Sequence, residues 1–383
     1  MNRKNGEVIM IEKRVVVKIG SSSLTQKDGA LSVKKLTEHA EAIVKLLDAG
    51  IEVVLISSGA ISAGFRDLGY SSRPVTVQGK QAAAAVGQGL LIEAYNQAFK
   101  RHGYVSAQLL LTRDVFTNKE QFSNVYQTIT ECLKRRVVPI INENDSVAID
   151  EMTFGDNDML SAQVSGLVNA DQLILLTDVN GIYDKNPGQF SDAKRYNHLS
   201  YISNELIAAT SQDSSSKVGT GGMKSKLIAA QLATNVGVNC FVGTGTGVNK
   251  LTTILNGSGD GTYIGTRETV HVRKHKQWIA YHSEPSGRII IDEGAKRALL
   301  SDGKSLLAAG IIGVEEDFPA DAVVSIYFNQ DQIAKGQVNY SAEQLKQVRG
   351  LSSREAMLLT GCTHPEVVHR NNLILTIQEG TYQ

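Results

Sequence analysis

Residues 13–60 read KRVVVKIGSSSLTQKDGALSVKKLTEHAEAIVKLLDAGIEVVLISSGA and contain two apolar runs with a helical pattern between them. The runs KRVVVKIG (13–20) and IEVVLISSGA (51–60) are short and rich in Val, Ile and Leu, as strands buried on both faces are. The segment between them, 31–50, has helical spacing and ends in Gly50, a favoured helix stop. A strand, a helix and a second strand in this order predict a crossover unit with parallel strands.

The same alternation continues through the first two-thirds of the chain. Further strands are predicted at 105–112, 135–142, 171–178 and 238–243, and further helices at 78–103, 118–136 and 221–237. The pattern predicts an α/β fold with an open, mostly parallel sheet sandwiched by helices.

The pattern then changes at NGSGDGTYIG (256–265), which is Gly-rich and predicted to be turn-like. The later apolar segments are short, β-like and separated by turns. We therefore expect an α/β domain over 1–265, a linker over 266–280 and a small, mostly-β domain over 281–383.

The bulk composition of the 383 residues is ordinary for a globular protein, with 42% hydrophobic and 20% charged residues and zero net charge. Nothing global indicates nucleic acid or an anionic membrane as a partner. The three scattered cysteines form no disulfide framework, which fits a reducing cytosol. No apolar run approaches the roughly 20 residues needed to span a bilayer, and no signal peptide precedes the first strand. We expect a cytoplasmic protein that does not contact membranes.

Acids and amides are concentrated in INENDSVAIDEMTFGDNDMLSAQ, residues 141–163, where no Lys or Arg occurs. The acids are Asp145, Asp150, Glu151, Asp156 and Asp158, and the amides include Asn142, Asn144 and Asn157. Carboxylates placed close together repel one another and raise each other's pKa. The cluster therefore predicts a cation from elsewhere, namely a metal, an ammonium group or a lysine. The alternative is a loop rich in Asx turns, in which these side chains bond their own backbone.

Polar residues follow the predicted strands at the points where the strands end. They are Lys18 with Gly20, Ser57 to Gly59, Asn142 to Asp145, and Thr177 with Asp178. In open parallel sheets, ligands bind at the carboxyl ends of the strands, so we expect these side chains to converge on one edge. Each one alone is more often a solvated lysine, a cap or a turn, and only the combination indicates a site.

The segment GTGGMKSK, 219–226, adds a glycine-rich turn before a predicted helix. Backbone N–H groups at a helix N-terminus bind anions. Lys224 and Lys226 in the first turn oppose the helix dipole, so their position is unfavourable unless an anion pairs with them. Lysines, backbone N–H groups and acids are together the parts of a phosphoryl-transfer site. GTGTG, 243–247, lacks the spacing of a dinucleotide fingerprint. The chain has no P-loop, protein-kinase, GxSxG or HExxH motif.

The chain resembles the amino acid kinase family in six blocks that occur in the family's order: VVVKIGSSSL, SSGAISAG, INENDSVA, FGDNDMLSA, LLTDVNGIYDKNP and GTGGMKSK. Within that family it is most similar to the members that phosphorylate glutamate. The tail resembles a PUA domain in GRIIIDEGAKRALL, KSLLAAGI, VNYSAEQL and VVHRNNLI. The resemblance implies phosphorylation of the side-chain carboxylate of L-glutamate to L-glutamyl 5-phosphate, the first step of proline biosynthesis. The implied cofactors are ATP and Mg²⁺ carried with ATP, with no metal site of the protein's own.

The resemblance also implies roles for individual residues. Lys18 and Lys226 would contact the transferring phosphoryl group, and Asp158 would hold these lysines in place. Glutamate would be bound by Ser58, Asp145 and Asn157, with Asp145 taking its ammonium group. ATP would be bound by Lys18, Thr177, Asp178, Thr220, Gly221, Gly222, Met223, Lys224, Ser225 and Lys226.

The chain departs from the family pattern at two places. Thr153 stands where the family often has Lys before the GDND block, so any substrate or feedback contact from that position is left open. VEEDFPADAVV, 314–324, lacks both glycines of the usual V-x-G-x-F-x-x-G-D-x-V pattern, and we expect its turns to be built differently.

The expected partners follow from the resemblance and from charge. PUA domains elsewhere bind RNA, but residues 281–383 carry nine Lys or Arg against thirteen Asp or Glu, a net charge of −4. Because phosphate-backbone binding needs a basic face, we expect a structural or regulatory appendage that does not bind RNA. The resemblance further implies homo-oligomers, feedback inhibition by proline and transfer of the labile acyl phosphate to a glutamyl-phosphate reductase.

Three alternatives remain open. The first is a sister kinase acting on aspartate, N-acetylglutamate, carbamate or UMP. The second is an RNA-binding protein with a degenerate kinase fold, which the acidic tail disfavours. The third is a proline-sensing pseudokinase, which the presence of both Lys18 and Lys226 disfavours.

Overall fold

The structure is a computed structural model that describes residues 13–147, 157–210, 222–265 and 285–375. These residues divide into two compact units. The larger unit contains the described residues up to Arg113 and those from Ser123 to 265, and the smaller contains Asp114–Phe122 and the described residues from 285 onward. The linker predicted at 266–280 lies outside the described residues, so the domain boundary stays a prediction. No helix in the described ranges is long and apolar enough to cross a membrane.

An eight-stranded sheet forms the centre of the larger unit. Its strands are β1 (Arg14–Ile19), β2 (Glu52–Ser57), β3 (Ser106–Leu111), β4 (Val138–Glu143), β5 (Gln172–Leu176), β6 (His198–Leu199), β7 (Asn239–Gly243) and β8 (Gly261–Ile264). Their order across the sheet is β3-β4-β2-β1-β5-β7-β8-β6. Neighbouring strands are parallel except for β7 and β8, which are antiparallel. The predicted α/β fold with a mostly parallel sheet is confirmed.

Helices connect these strands. They are α1 (Val33–Asp48), α2 (Ala60–Gly64), α3 (Val77–Lys100), α4 (Asp114–Thr117), α5 (Lys119–Lys134), α6 (Asn157–Leu167), α7 (Asn204–Thr210), α8 (Met223–Asn235) and α9 (Lys250–Leu255). A short 3-10 turn, Ser21–Ser23, follows β1.

Helix α1 illustrates how the sequence forms this layer. The side chain of Ser32 accepts a hydrogen bond from the backbone N–H of Lys35 and so caps the first turn. Leu36 and Ile43 are seven residues apart and lie on the same face of the helix. Both are fully buried in the core that also contains Val17 of β1. Each such buried aliphatic side chain stabilises the fold by roughly 1.5–3 kcal/mol.

Two elements differ from the sequence prediction. Residues 256–265, predicted to be turn-like, end in strand β8, where Tyr263 packs on Phe241 of β7 with ring centroids 4.9 Å apart. Pairing with β7 and β6 places the end of this Gly-rich segment in the main sheet, which composition alone did not indicate. Helix α6 was not predicted either, because its first residues were read as part of the acidic cluster.

The smaller unit is built on a five-stranded sheet. Its strands are β9 (Arg288–Ile291), β10 (Ile311–Glu315), β11 (Val323–Phe328), β12 (Asp331–Gln337) and β13 (Leu373–Leu375), in the order β10-β9-β11-β12-β13. Its helices are α10 (Glu293–Leu300), α11 (Ala342–Val348) and α12 (Ser353–Thr360), with 3-10 turns at Ala308–Gly310 and Arg370–Asn372. Ile289, Ile326, Tyr340 and Leu345 lie fully buried in a core of its own. The predicted mostly-β domain is confirmed.

The two positions of the tail that lack the usual glycines keep a glycine-like backbone. Glu316 has a φ of 68° and Asp321 a φ of 67°, both in the left-handed region that glycine favours. The expected rebuilding of these turns is therefore not observed. The residues have changed, while the backbone conformation at both positions is the one that glycine adopts most easily.

Candidate active site

The carboxyl ends of four strands meet at one edge of the main sheet. Strands β4, β2, β1 and β5 are successive parallel neighbours, so their last residues lie side by side. Lys18 belongs to β1, Ser58 follows β2, Asn142 belongs to β4 and Thr177 follows β5. The convergence of these side chains that the sequence predicted is confirmed, as expected for a ligand site of an open parallel sheet.

Asp158, the second residue of α6, binds two lysines at once. Its Oδ1 lies 2.6 Å from the Nζ atom of Lys18 and its Oδ2 lies 3.0 Å from the Nζ atom of Lys226. The hydroxyl of Ser225 donates to the same Oδ2 at 3.1 Å. The acidic cluster was predicted to need cations from elsewhere, and Asp158 meets two of them in β1 and in the first turn of α8.

This trio lies in the interior. The exposed fraction is 0% for Asp158, 3% for Lys18 and 8% for Lys226. Removing one partner from a buried ion pair leaves an uncompensated charge and costs about 3–5 kcal/mol. Burial, together with the negative charge of Asp158, raises the pKa of the Cys240 thiol on β7, so this thiol stays neutral.

A second group of side chains at this edge consists of amides. Asn157, the first residue of α6, donates from Nδ2 to the hydroxyl of Ser58 at 2.8 Å and to Oδ1 of Asn142 at 2.9 Å. Asn142 in turn donates from Nδ2 to Oε1 of Gln88, on α3, at 2.8 Å. The structure therefore brings together two of the three residues predicted to bind glutamate. The third, Asp145, lies half-buried in the turn that follows β4.

Helix α3 also supports the segment after β2. The hydroxyls of Ser57 and Tyr95 lie 2.9 Å apart, and both side chains are fully buried. Burial raises the pKa of the Tyr95 phenol, which stays neutral. The Ser57 hydroxyl also donates to the carbonyl oxygen of Ser58 at 3.1 Å. These contacts restrain the backbone at Ser58 from the side of helix α3.

The residues predicted to bind ATP differ in burial, and two of them lie outside the described residues. Thr177 is buried. Its backbone N–H donates a hydrogen bond to the carbonyl oxygen of Gly243 at 3.0 Å, and its hydroxyl donates to the carboxylate of Asp178 at 3.1 Å. Gly222 caps α8 in an extended conformation, and Met223 opens that helix. Lys224 points to solvent, unlike Lys226. The predicted positions Thr220 and Gly221 lie outside the described residues. So does Thr153, which departs from the family pattern.

Sequence reasoning missed Gln88 and Tyr95 as parts of this edge. Gln88 is one of two amides in the Ala- and Gly-rich run QAAAAVGQG, residues 81–89, and that contrast was the available signal. Tyr95 reads as an ordinary core aromatic. Within the described ranges, no group of three or more His, Cys, Asp or Glu side chains is placed to hold a metal ion.

Comparison with known proteins identifies the family to which the chain belongs. The model of the amino acid kinase family matches residues 13–244, which is more than half of the chain. The chain belongs to the amino acid kinase family. This amino acid kinase also matches the PUA domain over residues 287–357.

Curated relatives cover nearly the whole of this amino acid kinase. It is 51% identical over 365 residues to a protein named glutamate 5-kinase 1 from Bacillus licheniformis, with 95% of this chain and 99% of the relative covered. It is 52% identical over 365 residues to glutamate 5-kinase 1 from Bacillus subtilis, with the same coverage. The glutamate 5-kinase of Shouchella clausii is 50% identical over 368 residues, with 96% of this chain and 99% of the relative covered.

Proposed function

We propose that this amino acid kinase is a glutamate 5-kinase. It transfers the γ-phosphoryl group of ATP to the side-chain carboxylate of L-glutamate and forms L-glutamyl 5-phosphate and ADP, the first step of proline biosynthesis. The observation that carries the proposal is the buried trio in which Asp158 holds Lys18 and Lys226 at one sheet edge. About 50% identity to glutamate 5-kinases along 95% of the chain supports the choice of substrate over those of sister kinases.

The reaction needs charge stabilisation more than proton transfer. The attacking carboxylate has a pKa of about 4.3 in model peptides and is ionised at neutral pH, so no general base is required. Negative charge spreads over the phosphoryl oxygens in the transition state. An ammonium group carries three N–H donors, so Lys18 and Lys226 can each bond to Asp158 and to a phosphoryl oxygen together. Asp158 positions the two lysines before the substrates arrive, which lowers the reorganisation needed during reaction.

The substrate contacts are part of the proposal. Glutamate binds through Ser58, Asp145 and Asn157, and its ammonium group pairs with Asp145. ATP, which brings its own Mg²⁺, binds through Lys18, Thr177, Asp178 and the segment 220–226. Gly222 at the start of α8 fits this role, because backbone N–H groups there favour a phosphate.

Further features of the protein are proposed with the same function. The protein works in the cytoplasm as a homo-oligomer and passes its labile acyl phosphate to a glutamyl-phosphate reductase. Proline acts as a feedback inhibitor, and the smaller unit is a structural or regulatory appendage rather than an RNA-binding domain. The boundary between the two domains falls within 266–280.

An acyl-phosphate trap tests the function. Purified protein is mixed with MgATP, hydroxylamine and one acceptor at a time, namely glutamate, aspartate or N-acetylglutamate. We expect hydroxamate with glutamate alone. Because each charge at the phosphoryl group is worth about 100-fold or more in rate, Lys18→Ala and Asp158→Ala should lose at least that factor. Lys134→Ala, at an exposed lysine at the end of α5, should match the unaltered protein.

Other outcomes of this trap lead elsewhere. Hydroxamate with a different acceptor keeps the phosphoryl-transfer chemistry and moves the protein to a sister specificity. The absence of hydroxamate with every acceptor, from protein that binds ATP, contradicts the kinase function.

A further inference from the structure

A chain of three amide side chains connects helix α3 to the candidate glutamate site. Gln88 accepts from Asn142 at 2.8 Å, Asn142 accepts from Asn157 at 2.9 Å, and Asn157 donates to Ser58 at 2.8 Å. Three different elements, α3, β4 and α6, supply these amides. Gln88 directly follows Gly87, where α3 lies against α2.

One backbone group fixes the orientation of every amide in this chain. The N–H of Glu143 donates to Asn142 at 2.9 Å, and a backbone N–H can only donate, so the atom of Asn142 that faces it is the oxygen. The other end of Asn142 is then its NH₂ group, and the atom of Gln88 that faces it is also an oxygen. Since Asn142 Oδ1 also faces Asn157, that contact is made by the NH₂ group of Asn157.

This orientation leaves one oxygen at the end of the chain. Both donors of the Asn157 amide are used, on Ser58 and on Asn142. Its Oδ1 is buried and has no hydrogen-bond partner among the described residues. A buried polar atom without a partner is costly, so its persistence points to a donor supplied by a ligand.

The chemistry of glutamate identifies that donor. At neutral pH both carboxylates of glutamate are ionised and can only accept hydrogen bonds. The α-ammonium group is therefore the only part of the substrate that can donate to Asn157 Oδ1.

We propose that Gln88 is a positioning residue, which steadies the Asn142 amide and thereby holds the oxygen of Asn157 toward the α-ammonium group of glutamate. The proposal rests on glutamate being the acceptor. Gln88 does not touch substrate and acts only by accepting from Asn142. Without the Gln88 oxygen, the NH₂ group of Asn142 loses its partner and only the N–H of Glu143 still holds this amide. Asn142 then shifts, and the Asn157 oxygen is no longer held toward the ammonium group.

Two variants of nearly equal size separate this role from packing. Gln88→Glu keeps an acceptor oxygen for Asn142, whereas Gln88→Met keeps the length of the side chain and removes the acceptor. We expect Gln88→Met to raise the KM for glutamate about tenfold, as for the loss of a hydrogen bond to a charged group, with the KM for ATP unchanged. Gln88→Glu should stay within about twofold of the unaltered protein. The inhibition constant of glutarate, which lacks the ammonium group, should be the same in all three proteins.

The opposite results are equally clear. An unaltered protein that phosphorylates glutamate, together with an unchanged KM in Gln88→Met, overturns the role of Gln88 and leaves the function standing. Equal rises in both variants, or a matching rise for ATP or glutarate, also overturn it, because they indicate general packing. An unaltered protein that does not phosphorylate glutamate overturns the proposed function and this role with it.

Discussion

Glu316 and Asp321 occupy left-handed backbone positions on the surface of the smaller unit. The left-handed region costs an L-residue about 1–2 kcal/mol, although Asp tolerates it better than Glu. No side-chain hydrogen bond is described for Glu316 that would offset this cost. Its conformation is therefore set by the surrounding fold and not by the preference of the residue.

Glu316→Gly should stabilise the protein. Removing the side chain relieves the left-handed strain, and the added entropy of glycine in the unfolded chain offsets part of the gain, so we expect about 0.5–1 kcal/mol. Asp321→Gly should gain less. Chemical unfolding measures the effect. Ala320→Gly, at an exposed neighbour that is not left-handed, is the control and should lose stability. Lower stability in Glu316→Gly would contradict the argument.

His39 on α1 is a buried histidine that should make stability depend on pH. Burial and the nearby Lys250 ammonium group lower the pKa of His39 to about 4, while the unfolded chain keeps a pKa of about 6.5. Between these values the unfolded chain binds a proton that the folded chain does not. Stability therefore falls as pH drops from about 6.5 to about 4, by roughly 3 kcal/mol in total.

His39→Gln, which cannot take up a proton, tests this pH dependence. The free energy of unfolding is measured at pH 7 and near pH 4.5 for both proteins. We expect the loss between the two pH values to be smaller in the variant by about 2–3 kcal/mol. The same loss in both would show that His39 is not the group responsible.

At the scale of elements, the short helix α2 lies unusually close to α3. A Cβ atom added to Gly87 would overlap the carbonyl oxygen of Ala60, and one added to Gly64 would overlap the carbonyl oxygen of Ala83. Only glycine permits this backbone approach. Because α2 begins two residues after Ser58, the approach helps to set the position of the candidate glutamate site.

Gly87→Ala should therefore damage both stability and substrate binding. The overlap must be relieved by a shift of α2, and we expect a loss of about 1–3 kcal/mol and a higher KM for glutamate. Gly89→Ala is a matched control on the same helix, since nothing lies within 4 Å of its added Cβ. That control should gain about 0.5–1 kcal/mol from better helix propensity. Similar effects of the two substitutions would contradict the close approach.

At the scale of the whole molecule, the two units have separate cores, and every described residue of the candidate site precedes residue 265. Removal of the residues after about 270 should therefore leave catalysis largely intact. We expect a kcat within a few-fold of that of the full chain, measured with the hydroxamate trap. Circular dichroism establishes that the truncated protein is folded. Complete loss of activity in a folded truncation would assign the smaller unit a part in catalysis.

Local patterns in the sequence determined the fold class and the residue types of the site. Continuous apolar runs, helical spacing and glycine stops act over a few residues, so the strands β1, β2, β3, β4, β5 and β7 and the edge at which they end could be predicted. The resemblance to the amino acid kinase family then singled out Lys18, Asp158 and Lys226 among the charged residues.

Tertiary structure alone decided which groups meet. Asp158 and Lys226 are 68 positions apart, and Asn142 and Gln88 are 54 apart. Such contacts depend on the order of strands in the sheet and on the path of each crossover helix, which no local pattern records. For the same reason, composition missed strand β8, which pairs with β7 and packs Tyr263 on Phe241. It also missed the amide orientation set by the N–H of Glu143, because that orientation exists only once β4, α3 and α6 are packed together.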